Sequence, residues 1–427
     1  MFTCYSGVRP RTHVAAGLAM ASQPWDAAEQ GWKRSLQRLT FAHDRAQSGL
    51  AFVARGMSGR SDWGGGLARV RISVFSNIPN PYNPHLYSRL RSRGIRVSVI
   101  YDNTPREVGR PWSFEVRGGD RVDHSSAGQF HAALCADRAG DAVIFSGSYV
   151  GRAALARRLA LIGKRDRRLY WGERLSSRRG MALARRLYLR PFDAVLAVGT
   201  WARSGYVAAV GSTVPVHVLP YITTVPDAGR TLDTEPTLGF AGNLIPLKGV
   251  QVVLRALASM PPSRRPAFEI AGSGSGRPWL EDLASSLRVS PIWLGELSPE
   301  ELAAARRRWW VQAVPSRHDG WGMVVSEALA AGVPVLASTE TGAAIDLVRD
   351  NFNGRIVRDD NSWADAIGAY CDADRVFREG SNGRIVGEEI RAEKAAEWLE
   401  QLLAESPREA RSFVTEAWER VEDRTRQ

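Results

Sequence analysis

From residue 71 onward, short apolar runs alternate with amphipathic stretches at helical spacing. The first run, Arg71-Ile72-Ser73-Val74-Phe75-Ser76, has the length of a strand, and runs of similar length fall at 97–101, 142–146, 169–171, 194–198 and 216–219. A segment rich in Thr, Pro, Asp and Gly, 220–236, interrupts the series. A second series follows at 238–241, 268–271, 292–294, 311–314, 333–337 and 354–357, and helical patterns close the chain from about Arg375. Such alternation predicts parallel βαβ units with helices on both faces of each sheet. The expected fold is α/β: two doubly wound, Rossmann-like domains, 69–228 and 229–375, facing a central cleft at the carboxyl ends of their strands. Residues 376–427 read as C-terminal helices, the first placed to cross back to the N-terminal domain. Residues 1–68 lack sustained periodicity and end in Trp63-Gly64-Gly65-Gly66; they read as a weakly ordered N-terminal extension.

Composition adds bounds. The chain has 427 residues, enough for two or three domains, with the 44% hydrophobic and 24% charged content of a soluble globular protein. Its net charge of +12 is carried almost wholly by Arg, since the lysines are only Lys33, Lys164, Lys248 and Lys394. Residues 151–190 hold 13 Lys or Arg against Asp166 and Glu173, so the excess charge is concentrated there. Two helical patterns, 152–163 and 176–190, set Leu155, Leu159, Leu183, Leu187 and Tyr188 beside those arginines. That span is either a solvated basic face whose apolar residues turn to the core, or a surface that meets an anionic membrane. No apolar run approaches the ~20 residues that span a bilayer. The stretch 14–21, behind Arg9 and Arg11, resembles a signal peptide only faintly, being short and alanine-rich, and export is not the expectation. Three scattered cysteines, Cys4, Cys135 and Cys371, suit neither a disulfide framework nor a thiolate site, and the seven histidines show no metal-ligand spacing. A cytoplasmic, metal-free protein is expected.

The stretch most informative for chemistry is Asp319-Gly320-Trp321-Gly322-Met323-Val324-Val325-Ser326-Glu327, continued by Ala328-Leu329-Ala330-Ala331-Gly332-Val333-Pro334-Val335. Two acids eight positions apart straddle a glycine-flanked helix start. A helix beginning near Met323 aims unpaired N–H groups and a positive dipole end at the cleft, which suits a phosphate or pyrophosphate. Glu327 lies about one turn inside, where a carboxylate accepts from ribose hydroxyls; Asp319 lies on the loop, where it can bind a sugar hydroxyl. Taken by spacing alone, an Asp in a turn and a Glu on an ordinary helix fit equally.

This stretch resembles the signature of glycosyltransferase family 4, whose members have the GT-B fold: an acid, seven residues, Glu, then Ala-x-Ala-x-Gly-x-Pro-Val. Asp319 stands where the family usually has Glu, one methylene longer. Phe240-Ala241-Gly242-Asn243-Leu244-Ile245-Pro246-Leu247-Lys248-Gly249 resembles the family's phosphate-binding loop, with Asn243 where many members carry Arg. Ala271-Gly272-Ser273-Gly274, Leu294-Gly295, Val314-Pro315-Ser316 and Asn353-Gly354 follow in the family's order. The resemblance implies that Lys248, rather than being a solvated helix-start lysine, grips the diphosphate of a UDP- or GDP-linked sugar. Gly242, Asn243, Leu294, Gly320, Trp321, Gly322, Met323 and Val324 would then line the donor. It also implies retention at the anomeric carbon, and no cofactor beyond the nucleotide sugar.

The first half is similar to bacterial members used in surface-polysaccharide assembly. The matching text is Ile78-Pro79-Asn80-Pro81-Tyr82-Asn83-Pro84, then Gly109-Arg110-Pro111-Trp112, Trp171-Gly172-Glu173-Arg174 and Ala197-Val198-Gly199-Thr200-Trp201-Ala202. Asn80, Pro81 and Tyr82 follow the first strand, on the side expected to hold a glycan or lipid-linked acceptor. Glu173 either faces the cleft or pairs with nearby arginines, and His124 and His131 either line the acceptor side or are structural. Two rival functions remain: a sugar-nucleotide epimerase or hydrolase of the same fold, and an Arg-rich nucleic-acid-binding protein. Neither a zinc-finger nor an RNP-like motif supports the latter, so no nucleic-acid partner is expected.

Overall fold

Each apolar run of both series becomes a parallel strand. The computed structural model describes residues 70–76, 82–101, 120–122, 141–146, 167–175, 182–222, 230, 232 and 235–426. The N-terminal extension 1–68, Asn80 and Pro81, the Gly109–Trp112 motif, His124, His131, the 152–163 pattern and residues 176–181 lie outside the described residues.

The first sheet comprises β1 (Arg71–Ser76), β2 (Arg96–Tyr101), β3 (Asp120–Val122), β4 (Ala142–Ser146), β5 (Arg167–Gly172), β6 (Ala194–Ala197) and β7 (Val216–Val218). Its order is β3-β2-β1-β4-β5-β6-β7, with Ile72 in register with Val97 on one side and Ala142 on the other. The second comprises β8 (Thr237–Ala241), β9 (Ala267–Ala271), β10 (Ile292–Gly295), β11 (Val311–Val314), β12 (Val335–Ser338) and β13 (Gly354–Val357). It runs β10-β9-β8-β11-β12-β13. Central strands such as β4, β8 and β11 are buried along their whole length, as parallel strands covered on both faces must be. In both sheets the order reverses, between β1 and β4 and between β8 and β11. At such a switch point the connecting loops splay to opposite faces and leave a crevice beyond the strand ends.

The C-terminal helices differ from expectation in one respect. The first, Ala373–Glu389, stays on the second half, against the helix Met323–Ala330. Gly383 and Gly387 allow this approach: a Cβ at Gly387 would lie 2.4 Å from the Ala330 Cα. The second helix, Ala392–Ala404, is the one that crosses, packing on Asn83–Ser92 with Arg89 paired to Glu393 at 2.7 Å and Arg93 to Glu400 at 2.5 Å. A further tie between the halves caps the helix Thr200–Val210: the Thr200 N–H donates to the buried Asp346 carboxylate at 2.8 Å. In the segment between the series, Arg230 donates to the carbonyls of Val376, Trp309 and Trp310, and burial brings its guanidinium down to about 10.

Candidate functional site

The two loops at the β8/β11 switch point carry the predicted donor residues. After β8 the chain turns through Gly242, whose φ of +151° favours glycine, and reaches a 3-10 turn, Pro246–Lys248. Lys248 therefore ends a turn rather than starting a helix; the helix Val250–Ser259 begins beyond Gly249. A Cβ at Gly249 would meet the Pro315 carbonyl oxygen at 1.9 Å, so only glycine lets this loop lie on the one after β11. The Arg317 N–H, donating to the Leu247 carbonyl at 2.8 Å, fixes the same contact. From the other side, a Cβ at Gly272 would strike the Gly242 oxygen, and one at Gly274 or Gly276 would crowd Leu244. The glycine run after β9 is thus a packing surface for the loop after β8.

The second loop is held by backbone. Asp319 N–H donates to the Glu340 carbonyl at 2.9 Å and Gly342 N–H to the Asp319 carbonyl at 3.1 Å. Gly322, at φ +89°, turns the chain into the helix Met323–Ala330, which no side chain caps. The N–H groups at Met323 and Val324 thus begin a helix at the switch-point crevice, as an anion site requires. Gly320 leaves open space where a Cβ would be, and Trp321 is buried against Gly199 of the first half. Asn243 is exposed, and Leu294 is half-buried on the edge strand β10.

These loops bring Lys248 and Asp319 into direct contact, Nζ to Oδ2 at 2.5 Å, with side chains 26% and 14% exposed. Lys248 is therefore anchored at the crevice instead of being a solvated surface lysine. Glu327 sits one turn into the helix, as expected. Its partner was not read from the sequence: Arg306 donates from Nη2 to Glu327 Oε2 at 2.7 Å and from Nε to Gln312 Oε1 at 3.0 Å. Gln312 in turn donates to the Val324 carbonyl at 3.2 Å. A signal for this network was present, because Gln312 is a polar residue inside the apolar run of β11, and a buried amide demands partners.

Of the residues expected on the acceptor side, Tyr82 and Glu173 are described, and the structure links them through Tyr221. Glu173 accepts from the Tyr221 hydroxyl at 2.6 Å, and the Tyr221 ring stacks on Tyr82 with centroids 6.2 Å apart. Tyr82 also feels the donor acids: its phenol is pushed upward first by burial, then by the charges of Glu327 and Asp319, with Arg306 opposing. Tyr82 thus stacks on Tyr221, the partner of Glu173 in the first half, and lies within reach of the charges of the second-half acids. Tyr221, outside every motif quoted above, completes that link. Among the described residues no group of three His, Cys, Asp or Glu could hold a metal ion.

Known proteins resemble the chain in sequence over its second half and in fold over most of its length. Residues 226–372 match the family model "Glycosyl transferases group 1". A D-inositol 3-phosphate glycosyltransferase of Corynebacterium kroppenstedtii is 37% identical over 150 residues, which is 32% of this chain and 33% of that relative. The chain thus spans about a third of the length of this curated relative. Among solved structures, HepE of Anabaena in complex with UDP superposes with a TM-score of 0.59 at 17% identity, over 78% of this chain and 100% of that one. The apo form of WaaB, a lipopolysaccharide outer core galactosyltransferase, gives 0.61 at 14% identity, over 78% and 99%. The chain has the GT-B fold, and its residues 226–372 are similar to group 1 glycosyl transferases.

Proposed function

We propose that the protein is a glycosyltransferase that moves a sugar from a UDP- or GDP-linked donor to a glycan or lipid-linked acceptor, without a metal and with retention, in bacterial surface-polysaccharide assembly. The observation that carries the reading is the Lys248–Asp319 pair at 2.5 Å, at the mouth of a switch point beside the uncapped helix Met323–Ala330. The chemistry is electrostatic. The helix N-terminus and Lys248 receive the charge that develops on the departing diphosphate, Asp319 holds the sugar, and Glu327 holds the ribose. Binding the donor exchanges the Lys248–Asp319 contact for contacts to phosphate and sugar, so the ammonium is already placed before the donor arrives. Tyr82, Tyr221 and Glu173 form the acceptor side.

The test is product analysis in excess chelator, with nucleotide sugars offered alone and with glycan or polyprenyl-diphosphate-linked acceptors. Sugar transferred to an added acceptor with the anomeric configuration kept supports the reading. Free sugar, or an epimerised nucleotide sugar, formed equally with and without acceptor makes the protein a hydrolase or epimerase instead. Inositol phosphate, the acceptor that the corynebacterial relative's name specifies, is the comparison arm.

We further propose that the basic span of the first half docks on the anionic inner face of the cytoplasmic membrane. On the helix Ala182–Leu189, Tyr188 and Leu189 turn to the core while Leu183 and Leu187 are 68% and 38% exposed, next to the exposed Arg186 and Arg190. Outward leucines among arginines are what an interfacial helix presents to acidic lipid. No described helix is long and apolar enough to cross a membrane.

A further inference from the structure

A buried guanidinium behind the donor site has no part in the chemistry so far described. The Arg306 side chain is 4% exposed, at the end of the helix Pro299–Arg308, and Gln312, fully buried on β11, is its second partner. Together they tie three elements: that helix, the central strand, and the first turn of Met323–Ala330 through the Val324 carbonyl. Glu327 is 19% exposed and gives Oε2 to Arg306; among the described residues Oε1 has no protein partner. A glutamate side chain without a fixed partner samples several rotamers, and a carboxylate beside a diphosphate repels it. A fixed, buried cation removes both problems at once.

We propose that Arg306 is a positioning residue for the donor: it clamps one oxygen of Glu327, offsets its charge, and leaves the other oxygen set for the ribose hydroxyls. This rests on the ribose role of Glu327 given above. Gln312 sets the plane of the guanidinium, because a bond at Nε and another at Nη2 fix its fork in one orientation. The ribose preference of the site is therefore built by two residues that do not touch the nucleotide.

The experiment measures dissociation constants for the tighter of UDP and GDP, and for its 2′,3′-dideoxy counterpart, in wild type and four variants. Wild type prefers the ribose form by about 10- to 100-fold, the worth of hydrogen bonds to a charged group, and Glu327→Gln loses most of that preference. Arg306→Met loses it to a similar degree with Glu327 intact, whereas Arg306→Lys, which keeps the charge without the planar fork, keeps part of it. Arg308→Met, on the same helix as Arg306, breaks the ion pair to Glu269 of β9 and leaves the ratio unchanged, which separates positioning from loss of helix stability. If Arg306→Met does not fold, Arg306→Lys decides alone. A wild-type ratio in the folded Arg306 variants, with the ratio lost in Glu327→Gln, overturns the proposal while sparing the ribose role. No preference in wild type overturns both.

Discussion

Lys248 and Asp319 face each other across two loops that only glycine lets meet, and each keeps some contact with solvent. Removing the ammonium should therefore cost more in turnover than in folding. Lys248→Ala is expected to lower kcat/KM about 10- to 100-fold, the loss of one charge-assisted bond to the leaving diphosphate, with an unchanged circular dichroism spectrum. Wild-type turnover in that variant would contradict the assignment. The two acids should separate in calorimetry with free nucleoside diphosphate: Glu327→Gln weakens binding about 10-fold, while Asp319→Asn spares binding and damages transfer. Equal affinity in wild type and Glu327→Gln would remove the ribose role. The acids were legible in the sequence because their spacing is local, a loop and the helix that follows it. Arg306 was not, since Arg306-Arg307-Arg308 reads as the basic end of any helix complementing its dipole. Its burial follows from tertiary packing, with Ala303 and Ala305 beside it on the covered face.

At the scale of elements, the strands were readable because central parallel strands are continuous apolar runs. β3 escaped because three residues with a single apolar side chain, Asp120-Arg121-Val122, form an edge strand by pairing alone. The crossing helix was misplaced by one for a similar reason: which helix stays home depends on glycines meeting Leu329 and Ala330, residues more than 50 positions away. The Thr200–Asp346 cap is equally remote in sequence, and it makes a prediction in pH. Burial raises the Asp346 carboxyl above its ordinary range, against the hydrogen bonds from Thr200 that lower it. A carboxyl raised on folding holds its proton more tightly in the native chain. Its stabilising contribution is thus full below the ordinary Asp value and is lost as pH rises through the raised one. Asp346→Asn keeps an acceptor without the charge, so its Tm should equal or exceed that of wild type at neutral pH, with the advantage shrinking as the solution is acidified toward the ordinary Asp range. Asp346→Ala removes the cap and should cost about 1 kcal/mol. Thermal melts across pH test both, and an advantage of Asn that grows on acidification contradicts the account.

In the proposed function the whole molecule divides its labour between halves: the second sheet's loops would grip the donor, and the first half, which carries the basic span, would present the acceptor. Reversing Arg185 and Arg186 to Glu, with Leu183→Ser, should abolish binding to vesicles of anionic lipid while leaving nucleotide affinity unchanged. Each arginine near such a surface is worth about 1 kcal/mol at low ionic strength, so binding of the wild-type protein should fall as salt rises. Wild-type protein that ignores anionic vesicles at low salt would leave the span a solvated face. The measurement that bears most directly on the central claim is thermal unfolding in excess chelator with UDP- and GDP-linked sugars, run on wild type and Lys248→Ala together. A true donor at 100 times its dissociation constant should stabilise wild type by about 2.7 kcal/mol, and Lys248→Ala should need at least about 10-fold more donor for the same shift. No shift with any nucleotide sugar, or an undiminished shift without Lys248, would contradict a donor site built on this lysine.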